Sequence, residues 1–502
     1  MSNAGYRQCS KNMVRHQIIQ RAVSILTDKR AEASCVSRDY VRRVYDYFTQ
    51  TEDDSRNKQE ASKIDQAYIL DWENLHDSFC GVKRPADLSV CYLCGPEPNN
   101  DFDEFVGLGV LPQNIWAFES NRGIYNEALS VYQEESYRQP RILKQRIETF
   151  FQQTPKKFDI IYVDACGSIP SDQHALKCIS TIFQYHRLNS PGIIISNFAE
   201  PNVKTEYVDL LAAYFFSKSE ELYEFSGSND EIANEAFKEL KKNIEDNFPD
   251  YYGDFISRML RDIPSVIIPV QRIWKNPYLN QIFNFPKDFN PETTKELINQ
   301  TTDAIARFFL TFDFLHKHGK KDSKMDMLTQ EVGDYEALQL ALKQYEIAKN
   351  DGKYLTEDTK ILEAYFNDKN TMYQFLDRPH SNMLFDVLLN QLSYPFHCNT
   401  RANQRIKYTA KSTPMYTDIT VYDECRYLYE WLLAMHQIQA AFSNCSYQYV
   451  FRFALDGLVK SRKLYNNEFF YQGSVVSDDC QGFEYQKMKA RLSIDEYIER
   501  GM

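Results

Sequence analysis

Short apolar runs alternate with stretches of helical periodicity between about residues 89 and 197. The apolar runs cover residues 90–93, 115–118, 141–143, 158–163 and 192–197. Nearly continuous apolar strands alternate with helices where a parallel sheet is covered on both faces. The pattern therefore predicts an α/β fold with a mostly parallel sheet and flanking helices.

The rest of the sequence shows helical periodicity, which divides the chain into three regions. The predicted regions are an N-terminal helical segment at 5–85, an α/β domain at 86–288 and a large C-terminal helical domain at 289–502. In the third region, the stretch 395–415 is predicted to be the main irregular loop.

The α/β domain is also predicted to contain a helical insertion at about 203–263 and a late hairpin. The hairpin would consist of strands 265–273 and 278–283, joined by a turn at Asn276 and Pro277.

Charge and composition restrict the partners that the chain can have. Lys and Arg number 58 against 70 Asp and Glu, a formal net charge of −12, so contact with nucleic acid would need a local basic patch. No run approaches the roughly 20 apolar residues of a membrane span, and the N-terminus does not resemble a signal peptide. We therefore expect no membrane partner. The 11 scattered cysteines are expected to be reduced thiols in a cytoplasm.

Three motifs lie at the ends of the predicted strands. The first strand runs into the turn Cys94-Gly95-Pro96, the second ends at Glu119, and the fourth belongs to the string 158–168, FDIIYVDACGS. Together with the late hairpin, they resemble the class I S-adenosylmethionine-dependent methyltransferases over about residues 88–197. The resemblance implies a Rossmann-like sheet with ligands bound at the carboxyl ends of the strands.

The resemblance also implies roles for particular residues. Cys94, Gly95 and Pro96 would hold the methionine end of S-adenosylmethionine, and Glu119 would accept hydrogen bonds from its ribose hydroxyls. The implied adenine-binding residues are Ile147 and Glu148. The implied catalytic residues are Asp164, beside the sulfonium, and Asn197, at the end of the fifth strand.

Two alternatives remain open at this point. The turn keeps only Gly95 of the family's usual glycines, and Pro96-Glu97-Pro98 replaces the rest. The same sheet could therefore be a binding or scaffold module without catalysis. A nucleotide or dinucleotide enzyme is the other alternative, but the sequence lacks the G-x-G-x-x-G fingerprint.

A basic segment suggests RNA or DNA as the methyl acceptor. Four cations, and no acidic residue, occur between Pro395 and Met415, namely Arg401, Arg405, Lys407 and Lys411. Cations of this kind contact phosphates. The alternative is a solvated loop whose charges pair with Asp418, Asp423 and Glu424. No metal site is predicted, because the C-x-x-C pair Cys91 and Cys94 falls on a buried strand and lacks a second pair.

Overall fold

The computed structural model describes eight strands that form one sheet. The described residues are 9–50, 56–133, 141–165, 167–170, 175–217, 231–277, 290–318, 328–352, 393–433, 436–437, 440–441 and 444–461. The strands are β1 Val90–Leu93, β2 Ile115–Phe118, β3 Arg141–Leu143, β4 Phe158–Asp164, β5 Leu188–Ala199, β6 His397–Cys398, β7 Gln404–Ala410 and β8 Thr413–Asp423. The fold is α/β with a Rossmann-like, mostly parallel sheet, as the sequence predicts.

The strand order is β3-β2-β1-β4-β5-β8-β6, and β7 also pairs with β8. Strands β1 to β5 are parallel, whereas β8 is antiparallel to β5, β6 and β7. The chain leaves the sheet at β3, on one edge, and returns at β4, beside β1. This change of direction creates the crevice at the carboxyl ends of β1 and β4 in which open α/β sheets bind ligands.

The central strands are buried on both faces, which explains their continuous apolar runs. In β4, Ile160 and Tyr162 belong to the core on one face, and Ile161 and Val163 to the core on the other. This alternation follows from the two-residue period of a strand.

Helices cover both faces, and none of those in the described part of the chain is long and apolar enough to cross a membrane. Their bounds are α1 Cys9–Leu26, α2 Tyr40–Gln50, α3 Arg56–Ala61, α4 Gln66–Cys80, α5 Asn99–Gly107, α6 Arg122–Gln133, α7 Ile147–Gln153, α8 Ala175–Gln184, α9 Thr205–Phe216, α10 Glu231–Asp246, α11 Phe248–Asp262, α12 Ile268–Trp274, α13 Pro291–Gln300, α14 Ala304–His318, α15 Leu328–Asn350, α16 Arg426–Tyr429 and α17 Cys445–Ser461.

The helices divide into three packing groups. Helices α1 and α5 pack on one face of the sheet, and α7, α8, α9, α11, α12, α14 and α15 contribute to the core on the other face. A separate apolar cluster joins α2 and α4 to α16 and α17. The N-terminal helices therefore pack against residues from the far end of the described chain.

The predicted hairpin at 265–283 is wrong in its first half. Residues 263–267 form one π-helical turn that continues into α12, and 278–283 lie outside the described residues. The run from Ser265 to Ile273 is rich in Val and Ile, which favours a strand, but a short buried helix has the same apolar pattern. Its position directly after α11 settles the choice, because the run extends an existing helix.

The antiparallel strands come from the region that was predicted to be helical. Residues 404–410 and 413–423 form the hairpin β7–β8, closed by Lys411 and Ser412, with Lys411 at a φ of 59°. The expectation of an irregular loop at 395–415 is wrong, since residues 404–410 form β7. Among the described strands, β7 pairs with β8 alone, and it is half exposed. Its polar residues therefore alternate with apolar ones, and its sequence lacks the continuous apolar run of a strand that is buried on both faces.

Arg405 of that segment is buried rather than available to a phosphate. It lies opposite Asp418 in the β7–β8 register, and the two form a bidentate ion pair with both N···O distances at 2.8 Å. Its remaining nitrogen donates to the Gly253 carbonyl of α11 at 2.5 Å. A Cβ atom at Gly253 would lie 3.0 Å from the Tyr416 ring, so glycine permits this close approach. Arg405 thus confirms the paired-charge alternative at its own position.

We predict that Arg405→Met lowers the free energy of unfolding by about 3–5 kcal/mol, because Asp418 would remain buried without its cation. The exposed Lys407, two residues along the same strand, is the matched control. Its contact with Asp250 is 4.0 Å long, so Lys407→Met should cost less than about 1 kcal/mol. Chemical denaturation measures both changes.

The double variant Arg405→Met with Asp418→Leu separates the ion pair from simple packing. Removing both charges should recover part of the lost stability, since neither group is then buried alone. Equal losses in the Arg405 and Lys407 variants would contradict a structural role for the buried pair.

Candidate functional site

The turn after β1 has the backbone geometry that a ligand-binding turn requires. Gly95 has a φ of +57°, a left-handed conformation that favours glycine. A Cβ atom placed there would meet no other atom within 4 Å. The space beside the backbone is therefore open, so a ligand could approach the peptide closely.

Cys94 precedes Gly95 and anchors the turn to the end of β2. It is buried, and its backbone N–H donates to the Phe118 carbonyl at 3.1 Å. Burial raises the pKa of its thiol to about 12, so the thiol stays protonated and behaves as a small apolar group. The next residue, Pro96, is partly buried and has no N–H to offer a ligand.

Glu119 follows β2, beside the Gly95 turn. Its carboxylate accepts a hydrogen bond from the Asn121 N–H at 2.6 Å. Asn121 in turn accepts from the Gly123 N–H at 2.8 Å near the start of α6. The carboxylate is only partly buried, so it retains acceptor capacity for a second partner.

Asp164, Asn197 and Thr417 lie side by side on β4, β5 and β8. The Thr417 hydroxyl donates to the Asn197 side-chain oxygen at 2.8 Å, and the Asn197 amide donates to Asp164 Oδ1 at 2.9 Å. Asn197 is only 1% exposed, so these bonds fix its orientation. The structure therefore brings together the two residues that the sequence proposed as catalytic, and it adds Thr417 to them.

Helix α1 carries a cation to the same place. Lys11 Nζ lies 2.9 Å from Asp164 Oδ2. Tyr408 of β7 completes this group, since its hydroxyl donates to Asn197 at 3.3 Å. One carboxylate, one cation, one amide and two hydroxyls thus converge at the carboxyl ends of the strands.

Asp101 is a second carboxylate in this region that the sequence did not predict. It lies in the first turn of α5, is buried, and forms an ion pair with Arg15 Nε of α1 at 2.8 Å. The pKa of Asp101 is raised to about 6, mainly because the carboxyl is buried and also because of the negative charge of Asp164, while Arg15 and Lys11 offset only part of these effects. Burial similarly raises the pKa of the Tyr162 hydroxyl, together with the charges of Asp164 and Asp101.

Ile147 and Glu148 have different surroundings. Both lie in the first turn of α7, after β3. Ile147 is buried in the core beneath the sheet, whereas Glu148 is partly buried. Glu148 is thus the one of the two with a polar group available for a ligand near the strand ends.

The predicted basic segment is divided by the structure. Arg401 is exposed and donates to the Cys35 carbonyl at 2.9 Å, whereas Arg405 is buried. Lys407 and Lys411 are exposed. The four cations therefore do not form one surface.

A buried carboxylate, Asp423, joins three distant parts of the chain, and we call this group the Asp423 hub. Asp423 Oδ2 accepts from the Cys35 N–H at 2.8 Å and the Tyr427 hydroxyl at 2.6 Å. Asp423 Oδ1 accepts from the Cys425 N–H at 2.9 Å and the Ser190 hydroxyl at 3.0 Å. The thiol sulfurs of Cys35 and Cys425 and a carboxylate oxygen of Asp423 lie within 4.8 Å of one another, in the part of the chain that the structure describes. The donor types suit a soft cation, but each carboxylate oxygen already accepts two hydrogen bonds, which makes the hub a structural junction.

Comparisons with known proteins give weak similarity in fold. One solved structure, a putative methylase from Haemophilus influenzae, is 14% identical and covers 28% of this chain and 77% of its own, with a TM-score of 0.20. Another, an S-adenosylmethionine-dependent methyltransferase from Clostridium acetobutylicum, is 16% identical and covers 32% and 56%, with a TM-score of 0.19. No family model and no curated protein matches the sequence. Similarity at this level does not identify an activity.

We predict that Asp101 makes stability fall as pH rises between about 4 and 6. The unfolded carboxyl titrates near 3.8 and the folded one near 6, so in this interval only the folded state retains the proton. The contribution is fully present below pH 4 and is lost above pH 6. At about 1.4 kcal/mol per pH unit, the total is on the order of 2–3 kcal/mol.

Chemical denaturation of the wild type and of Asp101→Asn across this pH range checks the prediction, because the variant lacks the titrating group. The wild type should lose stability relative to Asp101→Asn as pH rises. Asp103→Asn, an exposed carboxyl on the same helix, is the control and should follow the wild-type curve. Parallel curves for the wild type and Asp101→Asn would show that Asp101 does not titrate in this interval.

Proposed function

We propose that this chain transfers a methyl group from S-adenosylmethionine. The observation that carries the proposal is the arrangement at the strand-order change between β1 and β4. There the open, left-handed turn at Gly95 lies between two acidic residues at strand ends, Glu119 directly after β2 and Asp164 at the end of β4. A nucleoside cofactor of this type needs an accessible backbone turn, an acid that binds its ribose and a second acid, all at adjacent strand ends.

The residues present fit such a cofactor. The open space beside Gly95 would receive the methionine end, and Glu119 would accept from the ribose hydroxyls while still holding the Asn121 N–H. Glu148 would lie toward the adenine base of the cofactor. The cofactor would supply an electrophilic methyl group when it is bound.

The roles of the protein's own groups in the transfer are mainly positional. Methyl transfer requires the nucleophile, the methyl carbon and the sulfur to be aligned, and a fixed arrangement of side chains lowers the entropic cost of that alignment. Asn197 is held by Thr417 and Tyr408 and holds Asp164 in turn. Asp164 would therefore present a fixed carboxylate to the acceptor, with Lys11 as its counter-ion.

A second candidate is a binding or scaffold module without catalysis. Its support is the Lys11–Asp164 ion pair, which occupies the carboxylate that an acceptor would use. The two prolines of the turn, Pro96 and Pro98, also remove backbone donors from it. In this case the sheet would support the surrounding helices and bind no cofactor.

Calorimetric titration of the protein with S-adenosylhomocysteine, NAD and ATP distinguishes these functions. Binding of S-adenosylhomocysteine alone would support methyl transfer. Preference for NAD or ATP would indicate a nucleotide enzyme, and no binding of any of them would favour the scaffold.

We predict that Glu119→Gln weakens S-adenosylhomocysteine binding about tenfold or more. The amide can still accept from the Asn121 N–H, but it lacks the charge, and charge-assisted hydrogen bonds contribute roughly 1.5–3 kcal/mol each. Glu127→Gln, an exposed acid on α6, is the matched control and should leave affinity unchanged. Equal affinities in the wild type and Glu119→Gln would refute the ribose-binding role.

A further inference from the structure

We propose that the edge of the sheet beside β3 binds the phosphate backbone of nucleic acid. This surface, the basic edge, consists of four cations that lie in β3 and near the two ends of α7, namely Arg141, Lys144, Arg146 and Lys156. The proposal concerns binding alone and does not depend on methyl transfer or on a bound cofactor.

The four cations have no ion-pair partner among the residues that the structure describes. This distinguishes them from paired cations of the described residues such as Arg405 with Asp418 and Lys83 with Asp159. The acid in the segment 141–157 is Glu148, which is partly buried and close enough to Cys178 of α8 to raise the pKa of that thiol, after burial itself. A second acid, Glu119, lies beside Lys144, since its backbone N–H donates to the Leu143 carbonyl at 3.1 Å. The four cations therefore still exceed these two acids within the described protein.

An aromatic residue fixes two of these cations in place. The Arg141 guanidinium carbon lies 4.8 Å from the centre of the Trp116 ring, and Lys156 Nζ lies 5.5 Å from it. Lys156 Nζ is also 5.4 Å from the Phe158 ring. Cation–π contacts of this kind hold a side chain without neutralising its charge.

The strand geometry spreads the charges along the edge. Arg141 and Lys144 are separated by roughly 10 Å, given a rise of about 3.3 Å per residue in a strand, and Arg146 follows two residues later. Lys156 comes just before β4 and contacts the same Trp116 ring as Arg141. A linear array of fixed cations suits a polymer with regularly spaced phosphates.

The chemistry of the surface favours nucleic acid over a membrane or a folded protein. Within the described residues, none of the large apolar side chains that are exposed lies between Val131 and Val203. Membrane-bound surfaces insert apolar side chains, and protein interfaces have an apolar centre. Phosphate contacts need only cations, and in a chain with a net charge of −12 a local positive surface would direct a polyanion to itself.

This location differs from the segment that the sequence proposed. At 401–411, Arg405 is neutralised by Asp418, and Arg401 donates to a backbone carbonyl. Lys407 and Lys411 remain exposed there. The two locations therefore make different predictions for the same measurement.

Fluorescence anisotropy of a labelled single-stranded DNA of about 20 nucleotides, at salt concentrations between about 50 and 200 mM, tests the proposal. If all four cations contact phosphates, the slope of log affinity against log salt should be near −2.8, at about −0.7 per contact. Lys144→Gln with Lys156→Gln should bring the slope closer to zero by about 1.4. Thermal denaturation of each variant verifies that it is folded.

Two control pairs locate the contact. Lys29→Gln with Lys275→Gln removes the same charge from exposed positions elsewhere and should leave the slope unchanged. Arg401→Gln with Lys411→Gln should also leave it unchanged. A smaller slope in the 401/411 pair, with no change in the 144/156 pair, would overturn the proposal in favour of the segment predicted from sequence.

Two further outcomes would also refute the basic edge. Absence of binding at the lowest salt concentration would exclude a nucleic-acid surface. Equal competition by polyglutamate at the same concentration of negative charge would show that the surface takes acidic protein segments. Because none of these measurements uses a cofactor, a failure of S-adenosylhomocysteine binding leaves their interpretation unchanged.

Discussion

The antiparallel pairing of β5 with β8 is the contact on which the rest of the structure depends. It runs from Gly192 opposite Tyr422 to Ala199 opposite Met415, and so joins the parallel part of the sheet to the late hairpin. This pairing brings the Thr417 hydroxyl of β8 within hydrogen-bond distance of Asn197. The Tyr408 hydroxyl of β7, which pairs with β8, also donates to Asn197. The polar group at the strand ends therefore exists only when the two parts of the chain are joined.

The same pairing positions the helices. Asp423, the last residue of β8, is the centre of the Asp423 hub, where Cys35 from the N-terminal region meets Ser190 at the start of β5. At the other end, Arg405 on β7 fixes α11 through the Gly253 carbonyl. Buried hydrogen-bonded carboxylates are costly to leave without partners, so these junctions specify how the helices dock.

The edge strand β3 is short and partly exposed, but the other four parallel strands were predictable because they are mostly buried on both faces and therefore appear as continuous apolar runs. The hairpin β7–β8 was not, since β7 is an edge strand with alternating polar residues and its partner lies far away in sequence. The run 265–273 shows the opposite error. Its Val and Ile residues favour a strand, but its place at the end of α11 makes it helical.

The residues of the candidate site were also predictable only in part. Asp164 and Asn197 were predictable because residues at the carboxyl ends of parallel strands meet at one edge of the sheet. Lys11, Asp101 and Thr417 were not, because each reaches the site from an element whose position depends on tertiary packing. The partner of Asp101 is Arg15 on a helix early in the chain, and no local spacing relates the two residues.

The pairing of β5 with β8 also has a consequence for the order of synthesis. As the protein emerges from the ribosome, β5 is complete at Ala199, but the strand that covers its outer edge begins only at Thr413. At about 5–20 residues per second, the interval lasts on the order of ten seconds or more. During it, an apolar strand would present unpaired N–H and C=O groups to other nascent chains, which is the condition that promotes aggregation. The helices α9, α11, α12, α14 and α15, which are made in this interval and pack on the adjacent face, could bury the apolar side chains of β5 but could not satisfy its backbone groups.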